Sequence, residues 1–527
     1  MESIFNDEIW NQFLQKLGVH DGRFEIKKYN QLDPYFDFSL KHDIIKNLVK
    51  DPSLKSIANH GFLPFVKVLI KTPRYRYQES EGQYGLETKI RPISYASHID
   101  SYIYSFYSFA LGKLYQYYIR NQKFDECVLA YRNDLDGKSN IQFSKEIFEV
   151  VKHELNINES CSAIAMDISG YFDNIDHVIL KEKWCKIIGK DELPKDQYKV
   201  FRSLTKYSYI NKNSILKHFK IQLNKIDKSW VSLLDLIPDN IAGASFINKM
   251  QLLRRKKLVT TNLPKTLKNG MFDYRGIPQG SPMSALLSNL YLIDFDKMLF
   301  DLSIQMKFTY RRYCDDILII CETAKVDDIK KIVDEEISKY KLTIQDRKTE
   351  IIDFKRNIAG KFRGFNRKKI TINTLNPQNE QQYYKNLQYL GFEFNGQNIY
   401  IRPGSLSRYF RKMKGRIVKT IMMSYSDKSK IEKILKKQIF ERYSHLGKRN
   451  FLAYAINASK KKYYSKSSRT YREGLDSPSI KRQISSHFAI LEGEVFSKSN
   501  QRFIYKEFVF EQKKKRGKRV TRKDLKF

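Results

Sequence analysis

The chain has few cysteines, five in 527 residues (Cys127, Cys161, Cys185, Cys314 and Cys321), with no Cys-x-x-Cys pair and no histidine at zinc-ligand spacing. This excludes a disulfide framework and a zinc module, and leaves reduced, intracellular thiols as the expectation. No run approaches the roughly 18–20 uninterrupted apolar residues of a membrane span. The opening MESIFNDEIW carries acids where a leader peptide needs bases, so a cytoplasmic protein that meets no membrane is expected. Internal repeats and long low-complexity segments are missing as well. Acidic residues are the minority: 58 Asp and Glu stand against 96 Lys and Arg, a formal charge of +38. That excess far exceeds what solubility needs and points to a polyanionic partner.

Apolar mass is not lacking. Hydrophobic residues make up 41% of the chain and aromatics 13%, enough for large cores and too much for a disordered polymer. The length suggests several structural units. From Ile401 to Phe527 there are 35 Lys and Arg against 10 Asp and Glu, a net +25, so the first 400 residues carry only +13. Arg408 to Lys419 reads as an amphipathic helix with Phe410, Met413, Ile417 and Val418 on one side and bases on the other. Such a helix suits either a phosphate backbone or plain solvent. Lys513 to Lys523 reads as a flexible basic arm. Ile4 to Leu17 and Ile99 to Ile119 have the composition of core helices.

Three segments carry chemistry. In Ala163 to His177 (AIAMDISGYFDNIDH) an apolar strand ends near Met166, which leaves Asp167 at its carboxyl end and a helix from His177. Alone, Asp167 reads equally as a metal ligand or a turn residue, and Asp173 and Asp176 as helix caps. In Tyr310 to Ile320 (YRRYCDDILII) the alternation of Phe308, Tyr310 and Arg312 and the run after Ile317 put Cys314, Asp315 and Asp316 at a hairpin turn. Adjacent carboxylates there repel unless a cation neutralises them, although Asp-Asp turns are common. In Arg275 to Leu292 (RGIPQGSPMSALLSNLYL) a constrained Gly/Pro loop precedes helical spacing from Ser281, with the Gln279 amide available to a base or sugar.

The three together, in this order, resemble motifs A, B and C of the reverse transcriptases. Asp167 with Phe172 matches motif A, Gly276 to Ser281 motif B, and Tyr313-Cys314-Asp315-Asp316 the motif C box. Lys89-Ile90-Arg91-Pro92-Ile93 and Ala130-Tyr131-Arg132 resemble the fingers motifs, Lys348-Thr349-Glu350 motif D, and Tyr389-Leu390-Gly391-Phe392 motif E. The resemblance spans about Lys89 to Gly396. It implies an α+β chain of right-hand polymerase architecture: fingers and palm built of antiparallel sheet with helices, and a mainly helical C-terminal thumb. The implied segments are an N-terminal helical extension over 1–60, fingers and palm over 61–400, a basic helical thumb or RNA-binding region over 401–500, and a basic tail over 501–527. Residues 181–268 read as an insertion or as a helical elaboration of the fold.

The implied activity is RNA-directed DNA polymerisation by two-metal phosphoryl transfer. Asp167 and Asp315 are then the main ligands of two Mg²⁺ ions, with Mn²⁺ as the substitute, and Asp316 is ancillary. Lys89, Arg91 and Arg132 face the triphosphate. Phe172 is the steric gate that favours deoxynucleotides, Gln279 and Gly280 line the nucleotide site, and Lys348 protonates the departing pyrophosphate. The implied partners are dNTPs, the DNA product, a structured non-coding RNA as template or scaffold, and a second copy or an accessory protein. The chain has no Cys/His nuclease module, no Val-Thr-Gly triplet and an intact Gln279-Gly280. It therefore looks most like the bacterial defence-associated, abortive-infection reverse transcriptases. The alternatives are a non-catalytic maturase-like scaffold, a retron or group II intron type enzyme, and an RNA-templated RNA polymerase, against which Phe172 speaks.

Overall fold

The computed structural model describes residues 6–499 apart from 20–23, 25–28, 52–54, 79–81, 223–230, 267–271, 373–376, 425–435 and 466–468. The chain forms two compact units: one comprises Met1–Arg132, Ala165–Leu318 and Asp327–Thr349, the other Asn133–Ile164, Ile319–Val326 and Glu350–Phe527. The fold is mixed α+β, and its C-terminal portion is mainly helical. The arm from Lys513 and the tail 501–527 lie outside the described residues.

In the first unit, the helix Asp7–Leu17 is opened by the Asn6 side chain, which accepts from Ile9 N, and closed by Gly18 in the left-handed region. It presents Trp10, Phe13 and Leu14 to the core. The helix His98–Asn121 is buried along most of its length, so it shows no single polar face. Its first turn is held from a distance: His98 N and Ile99 N donate to the two carboxylate oxygens of Asp33, at 2.7 and 3.2 Å.

A long antiparallel hairpin, Phe65–Gln78 with Gln83–Tyr95, forms one side of a four-stranded sheet. Its other two strands, Ser208–Asn211 and Val259–Thr261, come from the 181–268 segment. Phe65 and Tyr209 are register partners in the parallel pairing. Behind them Leu32, Val66, Ile210, Ile215, Leu233, Leu234 and Leu253 form a buried cluster. Residues 181–268 therefore supply two sheet strands and part of a hydrophobic core, in addition to helices.

Strand Cys161–Asp167 brings its last three residues, and Asp316–Cys321 its first three, into this unit. Asp316–Cys321 lies between the Asp167 strand and Thr309–Tyr313.

In the second unit, helix Asn140–Asn158 starts with a capping box between Ser139 and Gln142. Glu350–Arg356 pairs with Phe362–Asn366. Strands Leu387–Tyr389, Phe392–Phe394 and Ile399–Ile401 form a meander. The Tyr389 to Phe392 motif is its first turn, with Leu390 and Gly391 both at positive φ. Helix Pro403–Ser424 buries Tyr409, Met413, Ile417 and Ile421. Phe410 and Val418, expected on the buried stripe with Met413 and Ile417, flank it and line a groove instead. The reason is register: Tyr409, Met413, Ile417 and Ile421 repeat at helical spacing, and that row sets the inward face. A β-hairpin, Lys462–Ser465 with Thr470–Glu473, interrupts the C-terminal helices and was not expected from the sequence.

Two predictions follow from this packing. Leu253→Ala should destabilise the first unit by about 2–5 kcal/mol, read as lost hydrogen-exchange protection in both Phe65–Gln78 and Ser208–Asn211; protection lost only near residue 253 would contradict it. The second concerns Asp33. Burial, reinforced by the Asp100 charge, raises its pKa to about 6 despite the two backbone hydrogen bonds. The folded state then holds this proton more tightly than an unfolded aspartate near about 3.9. Its stabilising contribution is full below about pH 4 and is lost as pH rises through about 6. Melting curves across that window should show the wild type losing stability relative to Asp33→Asn as pH rises; a constant difference contradicts the assignment.

Candidate active site

The three motifs meet in the first unit through main-chain hydrogen bonds. Ile168 N donates to the Asp315 carbonyl at 3.0 Å, which sets the end of the Asp167 strand against the Cys314–Asp315 turn. Gln345 N donates to the Asp167 carbonyl at 2.9 Å and Ser169 N to that of Thr343 at 2.9 Å. This second pair brings up the segment that ends in Lys348, whose Nζ donates to Asp167 Oδ1 at 2.8 Å. Asp167 and Asp315 are half-buried and Asp316, the first residue of its strand, is exposed.

The motif B loop is fastened on two sides. Gly276 N donates to the Ile175 carbonyl at 2.9 Å, Ile277 N to that of Phe172 at 3.0 Å, and His177 Nε2 lies 2.8 Å from the Gly276 carbonyl. On the other side Ser94 N, on the long hairpin, donates to the Gln279 carbonyl at 2.8 Å. Gly280 has φ +112°, and a Cβ there would lie 2.8 Å from the Ser94 carbonyl oxygen and 2.9 Å from Ile93 Cγ2. Only glycine allows this approach. The helix expected from Ser281 begins at Ser284, because Ser281 to Met283 form a turn in which Ser284 Oγ donates to the Pro278 carbonyl at 2.6 Å. Asp176 caps helix His177–Ile188 through Val178 N and Ile179 N, which realises the capping alternative for that residue.

Lys89 and Arg91 share one hairpin face with Arg74, since Ile70↔Arg91, Thr72↔Lys89 and Arg74↔Glu87 are register partners. Burial lowers the Lys89 pKa, and the charges of Arg91, Arg74 and Lys348 lower it further against an opposing pull from Asp167. These groups therefore share one electrostatic field. Arg132 stands apart: its guanidinium donates to the Asp125 and Val128 carbonyls and lies 3.5 Å from the Asp125 carboxylate. Phe172 is half-buried, its ring 5.8 Å from that of Tyr171.

Sequence reasoning missed the interaction beneath the motif C turn. Arg312 and Asp296 are both 0% exposed and paired through two hydrogen bonds, Nε to Oδ1 at 2.7 Å and Nη2 to Oδ2 at 2.6 Å. Tyr310 adds its hydroxyl to Asp296 at 2.7 Å. The remaining guanidinium nitrogen, Nη1, donates to the Cys314 carbonyl at 2.9 Å. Cys314 has φ +60°, a left-handed conformation for a residue with a Cβ. The alternation through Phe308, Tyr310 and Arg312 was the available signal that Arg312 points inward. Tyr131, from the fingers motif, has φ +61°, is half exposed and lies beside the Cys314 thiol. Burial, then the Asp315 charge, pushes that thiol up to about 11.

Among the described residues, no group of three or more His, Cys, Asp or Glu side chains is gathered to hold a metal ion. The donor set of Asp167 and Asp315 still suits a hard cation, being carboxylates on adjoining strand ends. The Lys348 ammonium already stands as a cation on Asp167. No helix among the described residues is long and apolar enough to cross a membrane.

Removing one member of the buried pair leaves a charge without its partner. Asp296→Asn should cost about 3–5 kcal/mol, measured by chemical unfolding, whereas a loss below about 1 kcal/mol, as for an exposed pair, would contradict it.

A search of the curated proteins finds no match to this chain. Among solved structures it is similar to apo telomerase from Candida tropicalis truncated from its C-terminal domain, at 11% identity over 68% of this chain and 60% of that one, TM-score 0.31. Telomerase from Candida albicans in complex with a TWJ fragment of telomeric RNA matches at 10% identity over 89% and 65%, TM-score 0.33. The chain thus spans less than two thirds of the length of these telomerases. The reverse transcriptase (RNA-dependent DNA polymerase) family model matches residues 82–394, more than half of the sequence, and the chain belongs to that family.

Proposed function

We propose that this chain is an RNA-directed DNA polymerase that adds deoxynucleotides to a primer 3′-hydroxyl. The carrying observation is the junction of motifs A and C, where Ile168 N bonds the Asp315 carbonyl beside an Asp167 carboxylate that already holds a cation. Asp167 and Asp315, with Asp316 ancillary, are the residues that would hold Mg²⁺ or Mn²⁺. Bound there, the metal would neutralise phosphate charge and activate the attacking hydroxyl.

The chain's own groups do the rest. Lys89 and Arg91, joined by Arg74 on the same face, bind the triphosphate. Arg132, whose Nη1 donates to the Asp125 and Val128 carbonyls, adds a further cation for it. Lys348 is the proton donor to pyrophosphate. Gln279 and Gly280 line the nucleotide site, and Phe172 excludes a ribose 2′-hydroxyl. Residues from Ile401 act as a thumb, and their +25 charge grips a dedicated structured non-coding RNA, used as template or scaffold. A second copy or an accessory protein completes the assembly. The spelling of the fingers motif and motif C, with the basic C-terminus, supports a place among bacterial defence-associated reverse transcriptases acting against phage in the cytoplasm. Sequencing the nucleic acid that copurifies with the protein tests that assignment: a discrete structured RNA is expected, and bulk cellular RNA contradicts it.

Asp315→Asn should leave the protein folded and stop Mg²⁺-dependent incorporation on a primed RNA template; incorporation near the wild-type rate would overturn the polymerase reading. Phe172→Val should raise the ratio of ribonucleotide to deoxynucleotide incorporation by about tenfold or more, even where total activity drops. An unchanged ratio would make Phe172 a packing residue.

A further inference from the structure

The hairpin Lys462–Ser465 with Thr470–Glu473 has one face committed to its own unit. Tyr463 and Ser465 are buried on that face, and Tyr463 accepts from Gln142 Nε2 at 3.3 Å. Its base is tied to the preceding helix, Phe451–Ser459, through Gly474 N to the Lys461 carbonyl at 2.9 Å and Leu475 N to that of Ala458 at 2.8 Å. Strand alternation then forces Tyr464 and Tyr471 to the opposite face.

These two tyrosines are direct register partners. Their rings lie 5.4 Å apart at 67°, and they are 50% and 76% exposed. A cross-strand aromatic pair contributes roughly 0.2–1 kcal/mol, a small return for leaving two large rings in water on a firmly anchored hairpin. Around them Lys461, Lys462 and Arg469 are exposed. The nearby acid, Glu473, is neutralised by Lys145. Two open π-faces beside exposed cations match the chemistry of an unpaired nucleotide strand, whose bases stack and whose phosphates need positive charge.

We propose that Tyr464 and Tyr471 form a stacking platform for unpaired bases of an RNA strand, whose phosphates run past Lys461, Lys462 and Arg469. It rests on the reading above that RNA is the partner, and adds to it the place and the form of the bound RNA. The platform favours single strands, because a duplex hides its base faces, and it tolerates any sequence.

The test uses the full chain and two probes, a labelled oligouridylate and a blunt RNA duplex, each titrated over a salt series. Tyr464→Ala/Tyr471→Ala should weaken oligouridylate binding about tenfold or more, leave the slope of log K against log[salt] unchanged, and move duplex affinity by less than about twofold. Tyr464→Phe/Tyr471→Phe should bind as wild type, since the ring and not the hydroxyl stacks. Lys461→Ala/Lys462→Ala should flatten the slope. Wild-type affinity in the alanine pair, or an equal loss in the phenylalanine pair, overturns the platform, as does a wild-type protein that does not bind oligouridylate. Incorporation on a primed RNA template, measured in parallel, separates the two readings. Tight oligouridylate binding with no incorporation would overturn the polymerase and keep the platform, and the converse result would do the reverse.

Discussion

A guanidinium and a carboxylate, both removed from water, hold the centre of this structure together. At 2.6 Å, and with an effective dielectric constant of about 20, the attraction between Arg312 and Asp296 is roughly 6 kcal/mol. Desolvating the two ions costs several kcal/mol each, so the pair gains little net stability over apolar packing. Burial alone would lower the Arg312 pKa, and the Asp296 charge and hydrogen bonds more than offset it, so the guanidinium stays charged. What it gains is position. The guanidinium nitrogen left over after the bidentate contact binds the Cys314 carbonyl, and that carbonyl belongs to a residue held in a conformation costing on the order of 1–3 kcal/mol. The next residue is Asp315, whose own carbonyl accepts from Ile168 beside Asp167. One buried charge pair therefore sets the register of both carboxylates.

The same logic of close backbone approach governs the loop that faces them. Gly280 lies against Ser94 and Gly276 against Asp173, so motif B is bonded both to the segment after Asp167 and to the basic hairpin. The hairpin's cations, Lys89, Arg91 and Arg74, are set along one face by strand register. Burial, and then the charges of Arg91 and Arg74, lower the Lys89 pKa, and the three cations leave positive potential available to an incoming triphosphate.

Much of this was legible because motif chemistry depends on local order. The strand ending at Asp167, the helix from His177, the hairpin turn at Cys314–Asp315 and the core helix around Ile99 to Ile119 follow from short-range alternation and capping. What was hidden depends on pairing between distant segments. Arg312 could be placed on the inward face, but its partner sits in a helix, Ile293–Met306, whose apolar spacing conceals one buried acid. Arg132 was grouped with Lys89 and Arg91 by motif order, whereas its side chain bonds the carbonyls just before it. Residues 181–268 read as an insertion or a helical elaboration, yet Tyr209 pairs with Phe65 in a parallel ladder that no local pattern announces. The Tyr464–Tyr471 hairpin escaped notice because four residues a side give too little alternation to stand out from the surrounding lysines.

The central claim is that Arg312 and Asp296 serve the placement of the catalytic turn more than the stability of the fold. Replacing both, as Arg312→Met/Asp296→Leu, separates the two roles. The account predicts unfolding stability within about 1–2 kcal/mol of wild type, with kcat for nucleotide incorporation at least about tenfold lower and the KM for dNTP little changed. A doubly substituted protein that is equally stable and incorporates nucleotides at the wild-type rate would contradict it.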